Sequence, residues 1–295
     1  MGFSRLPLCG AGLVLAAATA IAGCGGSALS ASGASGAAAS PLRVMELVAK
    51  TANGAHSFTG TVSLRTTVKP GSVDPSAPPA GKGMSMTATI AERLYPSLLV
   101  SVDIGTLSAG GQSFPGGIHE MFTPRMGYLK WSAISSMHNG KPWLAFPLSS
   151  VGKNAAVNLT QFLTSLQDDG PLTDSQMLGG ATSVRSVSTS TIGGIPVTEY
   201  TGSFPIDKGT AHLPASTRAR VRKETAAAGI ATATFRVWID GQHRMRRSVI
   251  TESGKSFSEI ITTTITSINE PVNIAIPPAS QTVTDDSALS AGGGA

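Results

Sequence analysis

The sequence predicts an α+β protein that is mainly β, one domain of roughly ten antiparallel strands with two or three helices. Three observations lead there. Apolar residues recur at every second position through much of residues 57–268, the period of a half-buried strand. Gly accounts for 34 of the 295 residues, and Ala, Ser and Thr are abundant beside it, a bias toward turns and strands. Hydrophobic residues make up 41% of the chain and charged residues 13%, which allows a sizeable core. No change of composition divides residues 41–284, so they form a single domain.

The amino terminus has a different character. Arg5 precedes the apolar stretch Leu6 to Ala22, which ends in Ile21-Ala22-Gly23-Cys24. At 17 residues, with Pro7 inside it, this stretch is shorter than the roughly 20 apolar residues a spanning helix needs. It resembles a bacterial lipobox, the alternative being a cleaved secretion signal followed by a chance Cys. A diacylglyceryl group on Cys24, with acyl chains such as palmitate, would anchor the chain stably. Residues 1–23 are then a signal peptide, and their loss lowers the formal charge from +5 to +4, because Arg5 is their one charged side chain. Residues 24–40 are the lipidated Cys and an uncharged Gly/Ser/Ala tether with a reach of about 20 Å. The protein is expected on the outer face of the cell membrane. The two cysteines, Cys9 and Cys24, leave the rest of the chain without thiol chemistry.

The elements follow in order. Ser40 can cap a helix with Pro41 in its first turn, and Val44, Leu47, Val48 and Thr51 share one face until Asn53-Gly54. Phe58, Gly60, Val62, Leu64, Thr66 and Val68 then mark a long strand, and residues 69–83, with four prolines, form a loop. Met84, Met86, Ala88 and Ile90, then Leu98, Val100, Val102 and Ile104, give two more strands on either side of Tyr95-Pro96. Shorter strands are expected at 118–123, 126–131 and 143–147, followed by a helix at 158–167. Strands at 184–192 and 195–206 are joined by Gly193-Gly194, and a helix covers 214–228. Phe235, Val237 and Ile239 lead into Asp240-Gly241, the strongest hairpin signal in the chain, with a return strand at 243–251. A last strand runs from Phe257 through Ile265, and residues 285–295 form a disordered tail.

Order and texture together resemble a known family. The lipobox, the tether, the SFTGTV strand, Gly140 to Trp143, the GGIPVTEYTG hairpin at 193–202, the pair FRVWIDGQHRMRRS and the ending PVNIAIPPASQ are similar to actinobacterial lipoproteins of the LppX/LprAFG group, with its LolA/LolB-like fold. The resemblance covers roughly residues 41–284 and implies a strongly curved antiparallel half-barrel. Helices would cover its concave face around a hydrophobic cavity for acyl chains, in a monomer that binds or transfers a lipid or lipidated glycoconjugate. Candidate lining residues are Met84, Met86 and Ile90, then Leu98, Val100, Val102 and Ile104, then Phe122, then Phe235, Val237 and Ile239, and finally Ile261 and Ile265. Met suits an irregular lining. From the residues alone, a packed core is the preferred reading of the same side chains, and it is the resemblance that points to a cavity.

Other chemistry finds little footing. His56, His119, His138, His212 and His243 stand singly, which gives no metal-ligand spacing. No nucleophile elbow, P-loop or dinucleotide fingerprint occurs, so neither an enzyme nor a cofactor is expected. Acidic residues pair along the sequence only at Asp168-Asp169 and Asp285-Asp286. Asn158 fits a glycosylation sequon, with a helix cap as the preferred reading. Basic residues do concentrate, at 218–223 and 244–247, and Arg218, Arg222, Arg244 and Arg246 are candidates for contact with anionic headgroups; a solvated face is the plain alternative. Nucleic acid is disfavoured by the export signal. The rival to lipid carriage is an envelope sensor or regulatory protein-binding module, its partner unknown, on the same scaffold.

Overall fold

The computed structural model describes residues 39–70, 83–94, 96–114, 117–148 and 171–284. The signal peptide, Cys24, most of the tether, nearly all of the proline-rich loop, the helix expected at 158–167 and the tail lie outside them.

Helix α1, Pro41–Ala52, begins where the cap signal puts it, with Ser40 Oγ accepting from the Arg43 N–H at 3.4 Å. Its buried face is Val44, Met45, Val48, Ala49 and Ala52, one residue round from the expected stripe. Long strands follow: β1 Ser57–Val68, β2 Gly83–Arg93 and β3 Leu99–Ala109. Four shorter ones continue the sheet: β4 Gln112–Phe114, β5 Ile118–Phe122, β6 Met126–Lys130 and, after the short helix α2 Ser132–Met137, β7 Trp143–Pro147. Helix α3, Pro171–Met177, runs into a 3₁₀ turn at Leu178–Gly180. Then come the hairpin of β8 Ser183–Ile192 and β9 Ile195–Pro205, helix α4 Ile206–Thr210 and helix α5 Ala215–Ala228. Strands β10 Thr232–Asp240, β11 Met245–Ser253 and β12 Phe257–Ile268 complete the sheet, with β13 Thr282–Thr284 at its far edge.

All 13 strands of the described residues belong to one curved, unclosed sheet, in the order β13-β7-β6-β5-β3-β2-β1-β12-β11-β10-β9-β8, with β4 folded back on β3. Neighbours are antiparallel except β13, which runs parallel to β7. The first strand pairs with the last long one, so β1 and β12 fasten the two halves of the chain at mid-sheet. Glycine makes two tight turns: Gly110-Gly111 and Gly193-Gly194 all have positive φ, from 56° to 85°, as two-residue hairpins require.

The other hairpin departs from expectation. Asp240-Gly241 does not make a two-residue turn; four residues separate β10 from β11. Asp240 Oδ1 accepts from the backbone N–H of Gln242 at 2.9 Å and of Arg244 at 3.0 Å, which stabilises the longer loop, and His243 takes a φ of 59°. The register then slips between Trp238 and Ile239, a bulge that leaves Arg246 as the extra residue.

One side of the sheet carries the main core. Phe58, Val62 and Leu64 of β1 join Val100 and Val102 of β3 and Phe235 and Val237 of β10, closed by Met45 and Val48 of α1, Leu178 of the 3₁₀ turn and Val221 of α5. The helices therefore lie over the concave side. Helix α1 packs on α3 and the 3₁₀ turn, which touches α4 and β9. A second, smaller core lies on the outer face, where Ile274 and Val272 of the extended segment after β12 cover Leu99, Met121 and Trp143. No helix of the described residues is long and apolar enough to cross a membrane.

Candidate functional site

Pairing register fixes what the concave face presents. Across it run Ile90, Val102 and Glu120 in one row, and Glu92, Val100 and Phe122 in the next. Toward the other half of the sheet lie Glu259 beside Glu252, Ile261 beside Ile250, and Thr263 beside Ser248. Glutamates thus stand in the same alternating phase as the aliphatic residues.

Nine expected lining residues, Met86, Ile90, Val100, Val102, Phe122, Phe235, Val237, Ile239 and Ile265, are buried in the one continuous apolar cluster, while Met84, Leu98, Ile104 and Ile261 are partly buried against it. Of this set, Ile261 lines one open recess, between α5, α3 and the ends of β11 and β12, and Ile239 lines another, of about 330 Å³, beside Val44, Tyr200 and His243. The cavity volume of the recess beside Ile261 is about 70 Å³. Its apolar walls include Phe204, Val221, Ile230, Ile250 and Phe257; its polar groups are Thr173, Asp174, Glu224, Thr225, Glu252 and Glu259.

These acids had no signal as a cluster along the chain, yet Asp174, Glu252 and Glu259 converge in space, which corrects the expectation of scattered acids. Glu252 and Glu259 are cross-strand neighbours, and Asp174 comes from α3. Burial pushes Asp174 up to about 7. Burial, with repulsion from Glu259 and Asp174, does the same to Glu252, up to about 7. Glu259 is also raised by burial, opposed by the hydroxyl of Thr66, which donates to its Oε2 at 2.9 Å. Elsewhere on the sheet burial raises Glu120 to about 7 and lifts Glu92, 1% exposed and with Oε1 unpartnered among the described residues, well above the usual range. The signal that finds them is phase: Glu92 follows Ile90, Glu120 precedes Phe122 and Glu259 precedes Ile261 by two residues.

The basic candidates are engaged internally. Arg218 donates to the Leu213 carbonyl at 3.0 Å, and Arg222 to Thr210 Oγ1 at 3.0 Å and the Asp207 carbonyl at 2.8 Å, tying α5 to α4. Arg244 and Arg246 each donate through Nε to Asp240 Oδ2 at 2.9 Å. Arg246 is 4% exposed, so the bulge turns it inward and removes it from any headgroup contact. Arg247 instead faces out, stacked with Arg236 on Trp238, each guanidinium 5.2 Å from the ring. Among the described residues no His, Cys, Asp or Glu cluster has the arrangement of a metal site.

No protein-family model matches the chain, and no curated protein does. Solved structures do. The chain is similar to the lipoprotein LppX of Mycobacterium tuberculosis, at 20% identity and a TM-score of 0.44 over 79% of this chain and 97% of that one. It is also similar to LprF of Mycobacterium bovis, at 13% identity and 0.45 over 80% and 96%. A LolA superfamily protein of Nitrosomonas europaea matches at 9% identity and 0.25 over 82% and 97%.

Proposed function

We propose that this protein is a membrane-anchored lipoprotein that binds acylated lipid beneath its curved sheet and carries it within the cell envelope, without catalysing a reaction. One observation supports the reading: the sheet is curved and unclosed, its apolar face lies under a partial helical cover, and a small, mainly apolar recess stays open between α5 and β12. A buried acyl chain gains about 0.8 kcal/mol per methylene, so affinity would scale with the length of chain that the inner face takes up. Cys24 is the proposed anchor and the residues after it the tether, which keeps the domain within reach of its own membrane.

The test uses the Cys24→Ser chain, which lacks the anchor. Organic extraction and mass spectrometry of the purified protein should recover an acylated molecule in near-stoichiometric amount. A protein that yields none, and that also fails to take up an added fluorescent fatty acid, would refute lipid carriage.

A further inference from the structure

The inner face of the sheet changes character toward the β8 edge. Ile239 of β10 is followed across the sheet by Thr198 of β9 and Thr189 of β8, and Val237 by Tyr200 and Ser186, so hydroxyls take over rows that are aliphatic at mid-sheet. Between these strands, the first turns of α1 at Val44 and the loop after β10 lies an open cleft of about 330 Å³. Small-molecule sites occupy about 300–1,000 Å³, so the cleft is large enough for a small ligand.

Five of its lining side chains, Thr189, Ser190, Thr198, Tyr200 and His243, make no hydrogen bond among the described residues. Val44 and Ile239, both buried, supply an apolar wall beside the Tyr200 ring. No Lys or Arg lines the cleft among the described residues, and its one acid, Asp240, is neutralised by Arg244 and Arg246, each at 2.9 Å. The same carboxylate accepts from the N–H groups of Gln242 and Arg244 and so fixes the loop that holds His243 at a φ of 59°. That conformation is strained for a residue with a side chain, and the bonds to Asp240 keep it in place at the rim of the cleft.

An ion entering such a cleft would shed water and meet no counter-charge. Hydroxyl and imidazole groups offer both donors and acceptors, which matches a ligand whose own groups do the same. A sugar ring has hydroxyls around its edge and a C–H face that packs on an aromatic or aliphatic wall.

We propose that this cleft binds a neutral saccharide, its hydroxyls exchanging hydrogen bonds with Thr189, Thr198, Tyr200 and His243 and its C–H face lying against Val44 and Ile239. The chemistry is the same for a free glycan end and for a sugar linked to a lipid, so the site stands or falls apart from lipid carriage.

The experiment is amide chemical-shift titration of the full chain bearing Cys24→Ser with the methyl pyranosides of glucose, mannose, galactose and N-acetylglucosamine, and with sodium phosphate as the charged control. At least one pyranoside is expected to shift residues 189–200 and 239–244, and phosphate to leave them in place. Thr198→Val and His243→Gly should each weaken that sugar by about three- to tenfold, the worth of one neutral hydrogen bond. His243→Gly should also unfold at higher urea, because glycine takes this φ without strain, so its loss of binding is not loss of fold. The octyl glycoside of the same sugar separates the two sources: tighter binding than the methyl glycoside assigns the sugar to a lipid, and equal binding assigns it to a free glycan. Both results support the site. No response to any of the four pyranosides overturns it, as do shifts confined to other residues, a stronger response to phosphate, or two variants that bind the sugar as the parent chain does.

Discussion

Replacing Glu252 by Gln isolates the energetic consequence of the acidic recess. The carboxyl lies on β11 opposite Glu259, and burial first, then repulsion from Glu259 and Asp174, moves its pKa from 4.5 to about 7. The folded chain therefore holds this proton more tightly than the unfolded chain does. Stability from this group is fully present below the ordinary glutamate value and is lost as pH rises to about 7, above which the deficit is constant. At about 1.4 kcal/mol per pH unit, the displacement corresponds to roughly 3 kcal/mol. Gln keeps the shape and cannot ionise. Glu252→Gln should match the wild type near pH 4.5 and exceed it by on the order of 3 kcal/mol at pH 8, part of which comes from relief of Glu259 and Asp174. Urea unfolding followed by tryptophan fluorescence, repeated from pH 4.5 to pH 8, reads this directly. Parallel stability profiles for the two proteins would show that Glu252 titrates as an ordinary surface carboxyl and would sink the account of the recess.

Three other outcomes are expected. Asp240→Asn leaves buried Arg246 without its counter-charge and should cost about 3–5 kcal/mol, measured by the same unfolding assay. Burial alone would raise Asp240, but the N–H donors of Arg244 and Gln242 and the two guanidinium groups outweigh it and hold the group below its ordinary value. Its contribution should accordingly vanish in acid, as pH falls below about 4. Gly202→Ala places a Cβ 2.1 Å from the Ser183 carbonyl and 2.6 Å from Phe235, so it should cost about 1–3 kcal/mol and speed amide exchange along β8; unchanged exchange would count against the packing described. Cys24→Ala should move the protein from the membrane fraction to the soluble one, and tight attachment of the variant would refute the anchor.

The sequence was readable where structure is local. Ser40 and Pro41 start α1, Gly193-Gly194 turns β8 into β9, and the alternations at 84–90 and 98–104 are the inward rows of β2 and β3. It was less readable where meaning depends on distant partners. Asp240-Gly241 looked like a two-residue turn because nothing nearby in sequence announces that the Asp240 carboxylate takes two backbone N–H groups and two arginines. Strands β4 and β13, three residues each, are too short to show a period and exist because β3 and β7 offer them an edge. The acidic cluster was hidden for a geometric reason. Glu252 and Glu259 are brought opposite by a hairpin, and Asp174 arrives from a helix about eighty residues earlier in the chain. The arginines misled in the opposite sense, since density of charge along a strand says nothing of which face a bulge will give each one.

A closed barrel has its radius fixed by strand number and stagger, and its contents must fit what that geometry allows. Among the described residues this sheet ends in two edges, β8 and β13, and escapes that condition. The width of its arch is left to whatever spans it: the side chains of the inner rows, the helices α1, α3 and α5 laid across them, and the pairing of β1 with β12 at its keystone. Capacity can then be altered by substitutions in the span, with the ladder of backbone bonds untouched. A single scaffold of this kind can be resized for longer or bulkier guests by changing its roof and leaving its walls alone.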